Sequence, residues 1–275
     1  MLRDGRIRGT QPLLFNDPFE SKPYITAMPP KEMMERVSKV ESERMHLSDE
    51  ERVAILRVSE DPKHAAAAMA MMMTLFGAGV GILSLTEKRD NLLMWAHYAA
   101  EHTGYVIGFD TTHQYWNNFG DETGNDHASV LRKVDYSDRR PSPGHVAAVT
   151  RTEMYSTKSR EWQYEQEWRV FRVLEQADHV IGLENDLPIC LFNYPKESVR
   201  EVLVGCRASE ETENAIVEIV AGTKAYQEVD VLKAEIVQPN SSSISDLLGC
   251  RVRPKVGRAP PDASRLSETR HRRSL

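Results

Sequence analysis

Residues 82–110 read ILSLTEKRDNLLMWAHYAAEHTGYVIGFD, and this stretch decides the fold class because two strand patterns enclose one helix pattern. The runs ILSLT and YVIGF are rich in the branched and aromatic residues that strands favour. Between them, residues 91–102 form a helical pattern, and either Asp90 or Asn91 is expected to cap its first turn. We therefore predict a strand, a helix and a second strand.

The remainder of the chain alternates between strand and helix patterns without a regular strand–helix–strand repeat. This favours an α+β (mixed) fold, with a central, mostly antiparallel or mixed sheet and flanking helices. We predict a single domain over residues 1–237, followed by a basic, largely disordered tail over residues 238–275, where Ser, Pro and Arg dominate. Further helices are predicted at 29–60, 63–76 and after Ser209, and further strands at 167–174, 199–204 and 229–237.

Charge is distributed unevenly along the 275 residues, whose net charge is −6. Residues 251–275 hold eight Lys or Arg and two Asp or Glu, so they carry +6 and the rest of the chain carries −12. An acidic body lacks the clustered cations that bind phosphate backbones, so only the basic tail would allow contact with a nucleic acid.

Cysteine usage and hydropathy indicate a cytoplasmic protein with no membrane partner. The three cysteines have neither zinc-site spacing nor a disulfide framework, which fits a reducing compartment. The stretch 65–85 is nearly free of charge, but Gly77, Gly79 and Gly81 interrupt it. We therefore predict a buried helix, a glycine turn and a strand at 80–85 there.

The helix pattern carries a first group of candidate site residues. His97 and Glu101 are four residues apart, so a helix would place them on one face, where Glu101 can orient His97 for proton transfer or for binding a ligand hydroxyl. The alternative is a half-buried helix whose polar groups bond to their neighbours. His97 and His102 diverge by about 140° on a helix, which argues against a shared metal ion.

A second group lies in residues 158–172, KSREWQYEQEWRVFR. If this segment is extended, Glu165, Glu167 and Arg169 share one face. Two neighbouring carboxylates raise the pKa of one of them unless Arg169 or Lys158 compensates. Carboxylates placed in this way suit an oxocarbenium-like centre. The alternative is a solvated edge with paired Glu and Arg side chains.

A third group is the sequence FNDPFE at residues 15–20. Asn16, Asp17 and Glu20 are candidates for contact with a ribose or another substrate hydroxyl. The order Asn16, Asp17, Pro18 predicts a turn, which Phe15 and Phe19 are expected to anchor in the core. The alternative to substrate contact is that the polar side chains only hold this turn.

The strings at residues 15–20, 94–110 and 158–169 follow one another as in the bacterial domain of unknown function 2971 family, which this chain resembles over residues 2–237. The resemblance implies an additional strand ahead of the first residues. Residues 3–10 are therefore expected at the edge of a sheet.

The leading functional hypothesis is an ADP-ribosyltransferase-like enzyme with NAD as co-substrate and no bound cofactor. The Glu165-x-Glu167 pair is similar to the paired glutamates of that superfamily, which implies that Glu167 stabilises the cationic transition state and Glu165 positions the acceptor. The similarity also implies that His97 and Tyr98 hold the nicotinamide ribose half. The alternatives are a hydrolase or nuclease-like enzyme using His97 with one of these glutamates, and a non-enzymatic sensor or interaction module in defence or stress response.

The first two groups are expected to meet in one polar pocket that takes a small-molecule or protein substrate, with His97 or Tyr98 within hydrogen-bond reach of a glutamate. No metal site is expected. The predicted catalytic residues are Glu167, Glu165 and His97, and the predicted substrate-binding residues are Tyr98, Trp95, Asn16, Asp17, Glu20, Trp162, Tyr164 and Arg169.

Overall fold

The computed structural model describes residues 1–17, 19–21, 31–44, 47–60, 77, 79–116, 131–141, 154–236 and 250–254. In chain order, the helices are α1 (Lys31–Arg44), α2 (Asp49–Glu60), α3 (Leu92–Tyr98) and α4 (Glu210–Gly222). The strands are β1 (Arg6–Gly9), β2 (Val80–Thr86), β3 (Tyr105–Phe109), β4 (Arg132–Lys133), β5 (Asp135–Ser137), β6 (Thr157–Ser159), β7 (Glu167–Val173), β8 (His179–Glu184), β9 (Leu187–Asn193), β10 (Val199–Val204), β11 (Asp230–Ile236) and β12 (Cys250–Pro254). Short 3-10 helices lie at Pro12–Leu14, Gln114–Trp116, Arg160–Glu165, Leu174–Gln176, Lys196–Ser198 and Lys224–Tyr226.

The chain divides into two compact units, and each is described by itself. Unit 1 consists of Met1, Arg3–Glu87 and Thr111–Tyr194, and unit 2 consists of Leu2, Lys88–Asp110 and Pro195–Leu275. The predicted domain over residues 1–237 contains parts of both units, and its extent stays a prediction.

Unit 1 contains α1, α2 and three small sheets. Their strand orders are β1-β9-β8, β2-β7-β4 and β5-β6, with β5 and β6 parallel and the other pairs antiparallel. The start of α2 is stabilised by a capping box, since Ser48 and Glu51 exchange backbone and side-chain hydrogen bonds. Residues 3–10 show no clear strand pattern in the sequence. The strand β1 nevertheless forms there and is the edge strand of its sheet.

The core of unit 1 lies against the β2-β7 pair. Ile82 from β2 and Phe171 from β7 occupy paired positions and are buried with Met154 and Tyr155. Phe15 packs against this cluster from the N-terminal segment. The β7 strand is therefore held in the middle of a sheet, where its inward side chains are shielded from water.

Unit 2 contains α3, α4 and a four-stranded sheet of order β12-β11-β10-β3. The β10 and β11 strands are parallel, and the outer pairs are antiparallel, so the sheet is mixed. Trp95, Ala99, Leu203 and Ala234 form its buried core. Ser209 caps α4 by accepting a hydrogen bond from the backbone of Thr212, as the sequence predicts.

The α+β class is confirmed, and the described strands are distributed over four small sheets. Within the predicted tail, Cys250–Pro254 forms β12 and pairs with β11. The disorder of the tail stays a prediction. The other tail residues and the predicted helix at 63–76 lie outside the described residues. In the described part of the chain, no helix has the length and apolar character needed to cross a membrane.

Candidate functional site

Glu167 and Arg169 form the centre of the candidate site. They are two positions apart on β7, so both side chains lie on the same face of the strand. The Nε and Nη2 atoms of Arg169 donate to the two carboxylate oxygens of Glu167, both at 2.8 Å. Arg169 also donates to the carbonyl of Tyr155 and to the carboxylate of Glu20. Its side chain is only 1% exposed, so this guanidinium is enclosed by acceptors.

Lys158 on β6 contacts the same carboxylate groups. Its ammonium donates to Glu165 at 2.5 Å and to Glu167 at 3.1 Å, and it lies 3.5 Å from a carboxylate oxygen of Glu20. We call Glu20, Lys158, Glu165, Glu167 and Arg169 the charge cluster. All five are buried, and three carboxylates against two cations leave one net negative charge when all are ionised.

The pKa values of two carboxyl groups in the charge cluster move in opposite directions. Burial alone would raise the pKa of Glu167, but Arg169 and Lys158 outweigh it and hold the value at about 2. Burial raises the pKa of Glu20 above its usual value, and the pull of the same two cations does not offset it. Glu167 is thus held as an anion, whereas Glu20 is the easier of the two to protonate.

Glu165 and Glu167 do not share a strand, contrary to the extended conformation considered for residues 162–169. Glu165 ends the 3-10 helix Arg160–Glu165, and Gln166 follows with a left-handed φ of 46°. The Gln166 N–H closes the turn on the carbonyl of Gln163, so the chain changes direction before β7 begins. The two carboxylates nevertheless converge, because both contact Lys158.

The N-terminal segment supplies Glu20 through a turn. The Asp17 carboxylate accepts the Phe19 N–H at 2.8 Å, and the Asp17 carbonyl accepts the Glu20 N–H at 3.1 Å. The predicted turn is confirmed, and so is the packing of Phe15. Phe19, however, is 60% exposed and does not anchor the core. The guanidinium of Arg140 lies 4.6 Å from its ring.

A cleft of about 360 Å³ opens beside the charge cluster in unit 1. Among the charge cluster, Glu20 and Lys158 line it. Trp162 also lines the cleft, and its ring lies 5.0 Å from the Lys158 ammonium. The neighbouring Tyr164 ring lies 6.0 Å from that of Trp162, and burial raises the pKa of its hydroxyl. Asn16 is exposed, and Asp17 contributes to the cleft wall.

The predicted helix around His97 is shorter than expected. Asn91 caps α3, as predicted, by accepting the N–H groups of Leu93 and Met94, but the helix ends at Tyr98. Residues 100–102 follow with φ values of 48°, 51° and 68°, so their backbone adopts the left-handed conformation. The expected helical pairing of His97 with Glu101 is therefore wrong.

Trp95 belongs to the core of unit 2. It is 1% exposed, its indole N–H donates to the Arg89 carbonyl at 2.8 Å, and its ring stacks on that of His102. His97 and Tyr98 are exposed on the same helix. These residues lie in unit 2 and the charge cluster lies in unit 1, so the predicted meeting of the two groups stays a prediction. Within the described residues, no set of three His, Cys, Asp or Glu side chains is arranged to hold a metal ion.

Sequence reasoning missed the segment DYSDRR at residues 135–140, which completes the site. Tyr136 accepts the backbone N–H of Glu167 at 2.8 Å, and Arg139 and Arg140 line the cleft. The only sequence signal was the pair of arginines after a short β-favouring run. Lys158 was considered as a compensating charge and is in fact the residue that contacts all three glutamates.

Comparison with known proteins relates the chain to one family. No curated protein and no solved structure shows a significant match. A family model described as "Protein of unknown function (DUF2971)" matches residues 94–170. This stretch includes most of α3, all of β3 and the segment from Lys158 to Arg169. It therefore covers the second and third strings that carried the resemblance, whereas the first, at residues 15–20, lies outside the match. The match supports the resemblance of residues 94–170 to this family of proteins of unknown function.

Proposed function

We propose that this chain is an ADP-ribosyltransferase-like enzyme that cleaves the N-glycosidic bond of NAD at the cleft of unit 1. The observation that carries the proposal is the pair Glu20 and Glu167, which bind one guanidinium and whose pKa values move in opposite directions. When the pKa values of two carboxyl groups are separated in this way, the group with the lower pKa stays an anion. The group with the higher pKa can accept or donate a proton. Glycosyl transfer requires both roles.

Glu167 takes the role of the permanent anion in this proposal. When the bond between the ribose C1′ and the nicotinamide nitrogen breaks, its electron pair goes to nicotinamide, which leaves neutral. The ribose is left with oxocarbenium-like positive charge. The net negative charge of the charge cluster would stabilise this positive charge. The cluster is buried, and electrostatic stabilisation is strong where water is excluded. Glu165 supports this arrangement by binding the Lys158 ammonium that Glu167 also contacts.

Glu20 takes the role of the general base. It lines the cleft, so it can accept the proton of an acceptor nucleophile while that nucleophile forms its bond to C1′. A raised pKa makes this carboxylate a stronger base than an ordinary glutamate. Trp162, on the same cleft, offers an aromatic face to a flat ring of the substrate. His97 and Tyr98 stay predicted contacts of the nicotinamide ribose half.

A hydrolase is the second candidate, and the same pair of carboxylates favours it. If the acceptor is water, Glu20 would activate that water and the product would be a free sugar. The two candidates share Glu20 and Glu167 but differ in the product. A sensor or interaction module in defence or stress response would bind the ligand without releasing nicotinamide.

The test is to incubate the full chain with NAD and to measure nicotinamide release together with ADP-ribose and ADP-ribosylated protein. We expect release by the parent protein and a loss of about 10²-fold or more in Glu20→Gln, since general-base catalysis contributes on that scale. Glu175→Gln is the matched control, because Glu175 is exposed and lies outside the charge cluster. Transfer to protein supports the transferase, and free ADP-ribose alone supports the hydrolase. No nicotinamide release by the folded parent protein would reject both enzymatic proposals for NAD.

A further inference from the structure

The turn after β5 places two arginines at the cleft. Arg139 and Arg140 both line it, and the Arg139 N–H donates to the Ser137 hydroxyl at 3.1 Å, which closes the turn. Arg140 lies over the exposed ring of Phe19, with its guanidinium carbon 4.6 Å from the ring centre. Stacking on an aromatic ring holds a guanidinium in place while leaving its N–H groups directed outward.

Arg139 and Arg140 supply positive charge that a ligand could use, in contrast to Lys158. Lys158 also lines the cleft, but its ammonium contacts three carboxylates. Within the described part of the chain, neither Arg139 nor Arg140 forms an ion pair with a carboxylate. Two arginines that line one cleft suit a phosphate group, because a guanidinium donates paired hydrogen bonds to phosphate oxygens.

The size and walls of the cleft suit a small-molecule ligand. A volume of about 360 Å³ is at the lower end of the range for small-molecule sites, and it suits one nucleotide-sized portion of a ligand. Trp162 offers a stacking face, and the hydroxyl-bearing residues Thr157 and Ser159 line the same space. An aromatic face, hydroxyl groups and paired arginines together match the base, the sugar and the phosphates of a nucleotide.

We propose that Arg139 and Arg140 form a phosphate subsite that binds the diphosphate of a nucleoside diphosphate ligand at this cleft. The inference rests on the proposed function, in which that ligand is NAD. The diphosphate would hold the dinucleotide while Glu20 lines the cleft beside its ribose and Glu167 contributes negative charge from the charge cluster. The two arginines are positioning residues in this scheme. They bind the part of the substrate that does not react.

Calorimetric titration of the full chain with ADP-ribose, AMP and adenosine tests the subsite. We expect ADP-ribose to bind most tightly and adenosine most weakly, because adenosine lacks phosphate. Arg139→Gln and Arg140→Gln should each weaken ADP-ribose binding about tenfold, in line with hydrogen bonds to charged groups. Arg132→Gln is the matched control, since Arg132 is an exposed arginine of unit 1 on β4 and does not line the cleft. Adenosine affinity should not change in any of these variants.

The results of the binding and activity measurements distinguish the phosphate subsite from the proposed cleavage of NAD. ADP-ribose binding that depends on Arg139 and Arg140 without nicotinamide release keeps the subsite and rejects the proposed NAD chemistry. Nicotinamide release with an unchanged KM for NAD in both arginine variants keeps the chemistry and rejects the subsite. Absence of ADP-ribose binding by the parent protein, or equal weakening in Arg132→Gln, also overturns the subsite.

Discussion

Arg169 binds both carboxylate oxygens of Glu167 although the two residues are only two positions apart on the same strand. This local pair is extended by Glu20 from the N-terminal turn, which contacts the same guanidinium. The consequence is that the candidate catalytic carboxylate is also part of a buried ion-pair network. Chemistry and stability therefore depend on the same side chains.

Glu167→Gln should lower both activity and stability. From the sequence alone, the substitution is expected to remove the charge that an oxocarbenium-like state needs while leaving stability nearly intact. The structure changes the second half of that expectation, because an amide cannot replace the anion that binds Arg169 and Lys158. Breaking a buried ion pair costs about 3–5 kcal/mol. Urea denaturation should show this loss, and the Glu175→Gln control should not. A variant as stable as the parent would show that the network tolerates a neutral partner.

Truncation should distinguish β12 from the residues that follow it. Strand β12 pairs with β11 at five positions, from Leu232↔Pro254 to Ile236↔Cys250. A chain ending at residue 249 would expose the edge of β11, so we expect a lower melting temperature and greater self-association. A chain ending at residue 254 should keep the strand and behave like the parent. The measurement is thermal denaturation together with solution mass. Equal behaviour of both truncated chains would show that β12 adds no stability.

Gly205→Ala should destabilise unit 2 much more than Gly222→Ala. A Cβ on Gly205 would lie 2.1 Å from the backbone carbonyl oxygen of His102, in the left-handed segment that ends α3. Such an overlap requires backbone movement, and overpacking of this kind typically costs about 1–3 kcal/mol. A Cβ on Gly222 meets nothing within 4 Å, and alanine is the better helix former at the end of α4. Chemical denaturation measures both changes, and an equal effect would contradict the close approach.

The strand patterns were predictable because their alternation reflects burial on one face of a sheet. The predicted strands at 80–85 and 199–204 match β2 and β10 to within one residue. The capping asparagine and serine residues were also predictable, since capping depends on local side-chain bonds. These features are determined by short stretches of sequence. Long-range contacts do not alter them.

The departures from prediction arise where distant residues determine local conformation. The helix pattern at 91–102 continues past Tyr98, but His102 turns back, and its backbone accepts the N–H of Arg207, more than a hundred residues away. Similarly, Glu165 and Glu167 look like one strand face until the left-handed Gln166 separates them. Phe19 resembles a core anchor, yet it is exposed and contacts the guanidinium of Arg140. No local sequence pattern reports these contacts.

The pH dependence of stability should have two opposing parts that can be separated by one substitution. The pKa of Glu167 is lowered from its usual 4.5 to about 2, so the folded state holds the anion more strongly than the unfolded state. Stability should therefore rise by about 3 kcal/mol as the pH increases from about 2 to about 4.5. This contribution to stability should be lost when the pH falls from about 4.5 to about 2.

Glu20 should change the pH dependence of stability in the opposite direction, at pH values above about 4.5. Its pKa is raised, so between about 4.5 and its folded value the folded state binds a proton that the unfolded state has released. Stability should therefore fall as the pH rises through this interval. Glu20→Gln should abolish that fall and keep the rise below pH 4.5, while Glu175→Gln should keep both. Urea denaturation from pH 2.5 to 8 measures the profiles. Parallel profiles of the parent and Glu20→Gln above pH 4.5 would show that burial does not raise the pKa of Glu20.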